Sequence, residues 1–252
     1  MALKPERKTL WRSRAIARST WYSRNDPVMN DTEQRLIRIQ RVVLWSSALF
    51  PAAFVSFLIV ARWPEYWKWI NYEDTPMTSV EVAVMYTTAL TAFAGGCVAW
   101  LHNEGTHRNW WILAGAFFYF ALDDRFAIHE RVRDNLLAPR GIRLPFLPWI
   151  GPGDFILLMY AVVGLALLPR LLGITQRNRP SAYRFWAAVG VAFVAILLDT
   201  FDINRLPVEG QRLEQTVEEC LELIAQVLFF QSFFLAWFSP LSSRINETNA
   251  SG

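Results

Sequence analysis

Long apolar stretches separated by short polar segments dominate this chain. Several of them reach the roughly 18–20 residues that a helix needs to cross the hydrocarbon core of a bilayer. The alternating strands typical of outer-membrane barrels do not occur. The pattern predicts an all-α fold, a polytopic membrane helical bundle with about six transmembrane helices. The predicted spans are about 40–62, 80–101, 109–130, 153–172, 182–201 and 216–238.

The composition agrees with this class and sets the domain boundaries. The chain is 53% hydrophobic and 15% aromatic, which is more apolar than a typical soluble domain. Cys97 and Cys220 fall in separate apolar stretches, so we expect free thiols and no disulfide. We divide the chain into a basic cytoplasmic arm at 1–36, a six-helix transmembrane domain at 37–240 and a disordered tail at 241–252.

The formal charge of +3 is unevenly distributed, because the segment before Val42 holds ten Lys and Arg residues. Beside a first membrane helix, such a segment favours attraction to anionic lipid headgroups over binding of nucleic acid. The predicted inner segments, which include this basic arm, carry more Lys and Arg than the outer ones, which favours cytoplasmic termini. Residues 1–25 also have the Arg- and Ser-rich composition of a mitochondrial presequence, so a targeting role for the arm stays open.

The third apolar stretch differs from an ordinary membrane anchor because it ends in charged residues, YFALDDRFAIHERVRD. A charged residue at the centre of a spanning helix costs roughly 2.5–3.5 kcal/mol on insertion scales. A helix that serves only as an anchor has no reason to carry that cost. We therefore expect a functional site here.

Acids on three of the predicted helices lie at one depth. We count the depth of each acid from the inner end of its helix at roughly 1.5 Å per residue. Asp123, Asp199 and Glu222 then each lie about 21–22 Å from that end, in the outer third of the membrane. Glu81 and Asp154 come out slightly higher, near the outer boundary. The shared depth predicts that acids from different helices meet.

Spacing on each helix supports this convergence. Asp123 and Glu130 are seven residues apart on one predicted helix and share a face, and His129 flanks the same opening. Carboxylates grouped in a medium of low dielectric constant need protons, arginines or a metal cation. One hypothesis is a divalent metal site with Zn, Fe or Mn, or with Ca or Mg if the histidine stays out. Its candidate ligands are Asp123, Asp124, His129, Glu130, Asp199, Glu218, Glu219 and Glu222.

The alternative is a set of structural salt bridges in the outer headgroup zone. In that case the acids pair with arginines that follow closely in the sequence, and Arg125 is only two residues from Asp123. The other arginines available are Arg131, Arg205 and Arg212.

Several enzyme classes are excluded by their missing motifs. The chain has no P-loop, no Gly-rich dinucleotide fingerprint, no Gly-x-Ser-x-Gly elbow and no His-Glu-x-x-His. Three histidines in the whole chain are too few for the histidine-rich membrane oxygenases and desaturases.

LDDRFAIHE, followed much later by EECLEL, resembles a widespread group of uncharacterised bacterial multi-span proteins. These carry a Leu-Asp-Asp/Glu…His-Glu element on a middle helix and a Glu-Glu-x-x-Glu element on the last. The resemblance covers residues 118–131 and 217–226 and implies a bacterial inner membrane location. It marks a site without naming a reaction, at Asp123, Asp124, His129, Glu130, Glu218, Glu219 and Glu222, with a further acid expected on the fifth helix at Asp199 or Asp202.

Three functions remain open at this point. The first is a metal-dependent enzyme acting on a lipid or another outer-leaflet substrate. The second is an accessory subunit that packs against other membrane proteins and whose acids form structural ion pairs. The third is a cation- or proton-coupled carrier, which the scarcity of polar residues in the inner halves of the helices disfavours. The expected partners are the lipid bilayer, together with other membrane subunits under the second hypothesis, and no nucleic acid.

Overall fold

The computed structural model describes residues 31–72, 74–146, 150, 152–153, 155–199 and 206–251, with backbone alone at 157 and 239–251. Most of the predicted basic arm, together with Asp154, Asp202 and Arg205, lies outside this part of the chain. Every regular element within it is helical, which confirms the all-α class. The seven α-helices are α1 (Asp31–Ala61), α2 (Pro76–Leu101), α3 (His107–Phe126), α4 (Ile128–Val132), α5 (Phe155–Thr175), α6 (Arg179–Asp199) and α7 (Val208–Ser251).

Five of these helices are long and apolar enough to cross a membrane, where the sequence predicts about six. They are α1, α2, α6 and the apolar parts of α5 and α7, Leu158–Thr175 and Val208–Phe238. α3 has the length of a span, but Asp123, Asp124 and Arg125 lie in its last turns and lower its hydropathy. It ends at Phe126, four residues before the predicted end of the third span.

The first and last helices extend beyond their predicted ends. α1 begins at Asp31, inside the segment predicted as a basic arm, and continues through Pro51. α7 continues through Pro240 to Ser251, where the sequence predicts a helix end and a disordered tail. A proline removes one backbone N–H and crowds the preceding turn, which weakens a helix without always ending it.

The helices pack as an up-and-down bundle in which α7 is the central element. α7 packs against α1, α2 and α6, and α2 forms a close antiparallel hairpin with α3. One buried cluster joins Leu58 of α1 and Met77 of α2 to Leu223 of α7. A second, aromatic cluster joins α2, α3, α6 and α7 around Phe117 and Phe233.

α2 and α3 approach each other closely at Gly95 and Gly96. A Cβ atom added to Gly95 would lie 3.0 Å from the buried ring of Trp110, and one added to Gly96 would lie 2.5 Å from Trp111. The two glycines therefore let the tryptophans of α3 lie directly on the backbone of α2.

Polar contacts hold both ends of the bundle. At the end where α2 and α7 begin, which we call the site end, Asn71 donates to the carbonyl of Arg212 at 2.9 Å and accepts from Thr216 at 2.8 Å. At the opposite end, which we call the hairpin end, Arg177 donates to Glu104 at 2.8 Å. This ion pair links the α2–α3 loop to the α5–α6 loop.

Candidate functional site

A carboxylate triad lies at the site end, formed by Glu81 of α2 with Glu219 and Glu222 of α7. One oxygen from each side chain lies within 4.8 Å of the others. Glu81 is only 2% exposed, and its Oε1 has no hydrogen-bond partner among the described residues. A buried polar atom without a partner indicates that something else satisfies it, such as water or an ion.

The local sequence explains why these three side chains meet. α2 and α7 run parallel, because Val80 packs with Leu223 at the site end and Ala99 shares a cavity with Ala236 at the hairpin end. Glu219 and Glu222 are three residues apart and lie on one helical face. Glu81 is the only charged residue of α2 and points into the same space.

Further acids extend the triad into a layer, as predicted. Asp124 of α3 lies near enough to Glu81 for the two charges to interact. Glu218 of α7 and Asp199 of α6 lie near enough for their side chains to interact. The structure thus brings together Asp124, Asp199, Glu218, Glu219 and Glu222 of the predicted set, and adds Glu81.

Asp123 and His129 form a separate pair beside this layer. The Oδ1 atom of Asp123 accepts the backbone N–H of His129 at 2.8 Å, and Oδ2 lies 3.0 Å from Nδ1 of the imidazole. The His129 ring lies edge-on to Tyr160, 6.5 Å between centroids, and Tyr160 shares a hydrogen bond of 2.7 Å with Tyr119. Neither Asp123 nor His129 belongs to the three-carboxylate cluster.

The predicted shared face of Asp123 and Glu130 is wrong, because the helix breaks between them. Ala127 adopts a left-handed conformation (φ 46°, ψ 46°) and separates α3 from α4. Glu130 consequently turns toward Arg133, 3.4 Å away, and not toward the triad. An alanine gives no sequence signal for such a break, since left-handed backbone usually falls on glycine or asparagine.

Two of the arginines expected under the salt-bridge hypothesis pair elsewhere. Arg125 pairs with Asp74, and Arg212 pairs with Glu209 at 2.6 Å while stacking on Trp67. Arg205 is not among the described residues. Arg125 and Arg212 therefore do not compensate the charge of the triad.

An aromatic layer fills the bundle beside the triad, on the side that faces the hairpin end. Phe117 of α3 packs against Phe229 and Phe233 of α7, with ring centroids 5.5 Å apart in each pair. Phe185 of α6 completes the layer. Phe117 lies seven residues before Asp124 on the same face of α3, so this layer lies directly beneath the acids.

Glu81 is the residue that sequence reasoning left out of the candidate ligands. The sequence does offer a signal for it, because Glu81 is the single charged residue of its spanning helix, and such a residue marks a functional position.

The comparisons with known proteins name no activity. No curated protein and no solved structure matches this chain. One family model matches residues 34–237. This range holds every acid of the layer. It also holds the five candidate spans, apart from the first turn of α1 and Phe238 at the end of the last span. The chain therefore belongs to the family described as a domain of unknown function, DUF8692.

Proposed function

We propose that this protein is a membrane-embedded enzyme that uses a divalent cation held by Glu81, Glu219 and Glu222. The observation that carries the proposal is the buried, unpartnered Oε1 of Glu81 within a cluster of three carboxylates. Three carboxylates in a site of low dielectric constant are costly when ionised unless a cation or protons compensate them.

The chemistry of the ligand set favours a hard cation. Oxygen ligands lie about 2.0–2.1 Å from Mg²⁺ and about 2.3–2.6 Å from Ca²⁺, so two ligands of one ion lie at most about 4.2 Å or 5.2 Å apart. The ligand atoms of the triad, all within 4.8 Å of one another, have separations of this order. An all-oxygen set suits Mg, Ca or Mn, whereas Zn and Fe favour sites that include imidazole. Since His129 does not belong to the three-residue cluster, we favour Mg or Mn over Zn or Fe.

The Asp123–His129 pair supplies the second element of a hydrolytic site. A carboxylate that holds Nδ1 of an imidazole fixes the ring, so that the other nitrogen can act as a general base. A bound divalent cation makes a coordinated water more acidic and polarises a carbonyl or phosphoryl oxygen. Asp199, which lies near both Glu218 and His129, connects the two elements.

The substrate class follows from the location of the site. With cytoplasmic termini, the site end lies in the outer leaflet of a bacterial inner membrane. A lipid headgroup or another outer-leaflet substrate can approach there, while the aromatic layer at Phe117, Phe229 and Phe233 blocks passage to the hairpin end. That closure disfavours a carrier.

Metal binding by the full chain in detergent tests the proposal. We expect stoichiometric Mg²⁺ or Mn²⁺ binding by calorimetry, and a loss of at least about tenfold in affinity for Glu81→Gln and for Glu222→Gln. Glu209→Gln is the matched control, because Glu209 lies on α7 with an exposed side chain paired to Arg212. Wild-type protein that binds none of Mg²⁺, Mn²⁺, Ca²⁺, Zn²⁺ or Fe²⁺ would overturn the proposal.

A further inference from the structure

Gln226 of α7 is a buried amide for which the site described so far gives no use. It is 5% exposed, and neither its Oε1 nor its Nε2 has a hydrogen-bond partner among the described residues. Gln231, five residues later, is buried to a similar degree but uses both atoms. It donates to Leu44 and Ser47 and accepts from Arg184.

Gln226 lies on the same helical face as the triad, one turn deeper in the membrane. It follows Glu219 by seven residues and Glu222 by four, spacings that place all three on one face of α7. On the parallel helix α2, Thr88 follows Glu81 by seven residues and lies at the same level. The Thr88 hydroxyl donates to the carbonyl of Val84 at 2.8 Å, so its proton is not available to Gln226.

The aromatic layer lies immediately below. Phe229 follows Gln226 by three residues on α7 and packs against Phe117 of α3. Gln226 is therefore the floor of the polar site, between the carboxylates above and the phenyl rings below. On this face of α7, the polar groups next to its amide are those of the triad.

The amide itself limits what that partner can be. Its oxygen accepts a hydrogen bond and its nitrogen donates one. A bare cation satisfies only the oxygen, and a carboxylate satisfies only the nitrogen. A water molecule, which both donates and accepts, satisfies the two together.

We infer that Gln226 binds a water molecule, and that this water is itself a ligand of the cation in the triad. By holding this water, Gln226 determines which cation the triad selects. The inference rests on the proposed function. Mg²⁺ gives up its waters reluctantly and usually keeps several of them when bound, whereas Ca²⁺ readily takes six to eight oxygens from any source. The Gln226 amide, which holds one water of the bound ion in place, therefore favours binding of Mg²⁺ over binding of Ca²⁺.

Calorimetry with Mg²⁺ and with Ca²⁺ as separate probes tests the inference on the full chain. Gln226→Met removes both polar atoms with little change in volume. We expect it to weaken Mg²⁺ binding by about tenfold, since roughly one hydrogen-bonded pair is lost, and to change Ca²⁺ binding by less than about threefold. Gln231→Met is the matched control, because it removes a buried amide of the same helix that is already satisfied by the protein.

The outcomes separate the inference from the proposed function. Wild-type protein that binds neither ion overturns both. Wild-type Mg²⁺ binding that is unchanged in Gln226→Met overturns the role of Gln226 alone. An equal loss of Mg²⁺ and Ca²⁺ in Gln226→Met overturns the water contact, since it indicates that the amide oxygen binds either ion directly. If Gln226→Met fails to fold, Gln226→Leu and Gln226→Ala provide the same comparison.

Discussion

Asp123 holds His129 by two bonds at once, one to the backbone N–H at 2.8 Å and one to Nδ1 of the ring at 3.0 Å. The first bond satisfies a free N–H at the start of α4, as a capping residue does. The second fixes the orientation of the imidazole. Because both bonds depend on the helix break at Ala127, this break is what brings the side chain of Asp123 to His129.

His129 is accordingly expected to be dispensable for cation binding. His129→Ala removes the imidazole but none of the three carboxylates that form the cluster. We expect Mg²⁺ or Mn²⁺ affinity to stay within about threefold of wild type, while Glu222→Gln loses at least about tenfold. Calorimetry on the two variants measures this. A sharp loss of metal in His129→Ala would instead make His129 a ligand and restore the preference for Zn or Fe.

Glu81→Gln is expected to raise the stability of the metal-free protein. Without a cation, the buried carboxyl of Glu81 faces Glu219 and Glu222, and an amide of the same shape removes that repulsion. We expect a gain of about 1–3 kcal/mol in the free energy of unfolding when a chelator is present.

Thermal unfolding with and without chelator checks this change. Wild-type protein should lose thermal stability when the cation is removed, because ligand binding stabilises the folded state. Glu81→Gln should show no such response. Glu209→Gln, an exposed acid on the same helix, should behave as wild type. Equal sensitivity of wild type and Glu81→Gln to the chelator would argue against Glu81 as a ligand.

Most of the fold follows from the sequence because each span is a long apolar stretch bounded by polar or turn-forming residues. The spans of α2 and α6 come within a few residues of their predicted limits. α3 departs from the prediction because hydropathy cannot detect a helix break at an alanine such as Ala127. The continuation of α7 past Pro240 is equally invisible, since proline is a common signal for a helix end.

The sequence predicts the depth of the site in the membrane, but it predicts only in part which side chains contact each other there. The count of residues from the helix ends places Asp123, Asp199 and Glu222 at one depth. Glu222 belongs to the triad and Asp199 lies near Glu218, whereas Asp123 pairs with His129 beside the layer. Which acids contact each other depends on helix rotation, which spacing on a single helix does not give. Glu81 was placed slightly too high to join the set, because one helical turn of depth is within the error of the count.

The α2–α3 hairpin is expected to be sensitive to a single methyl group at Gly95. Gly95→Ala would bring a Cβ to 3.0 Å from the ring of Trp110, which is only 4% exposed. We expect a loss of about 1–3 kcal/mol in the free energy of unfolding. Gly115→Ala on the partner helix is the control, since a Cβ there meets nothing within 4 Å. Equal thermal stability of the two variants would show that the hairpin relaxes freely around Trp110.

The orientation of the bundle decides which leaflet holds the site, and cysteine labelling in intact cells measures it. The Lys and Arg distribution predicts cytoplasmic termini, which places the start of α7 outside and the α2–α3 loop inside. Glu209→Cys and Gly105→Cys are suitable reporters, in a background where Cys97 and Cys220 are replaced by serine. The Glu209 side chain is 84% exposed, and a side chain at Gly105 would meet nothing within 4 Å.

We expect a membrane-impermeant thiol reagent to label Glu209→Cys from outside and to reach Gly105→Cys only after the cells are broken. The physical reason is that cytoplasmic retention of Lys and Arg next to the first spans sets the orientation of the whole bundle. Because Glu209 begins the helix that carries Glu219 and Glu222, the same experiment places the triad in the outer leaflet. The reverse labelling pattern would move the triad to the inner leaflet, where the substrate would be a cytoplasmic-leaflet lipid or a soluble cytoplasmic molecule.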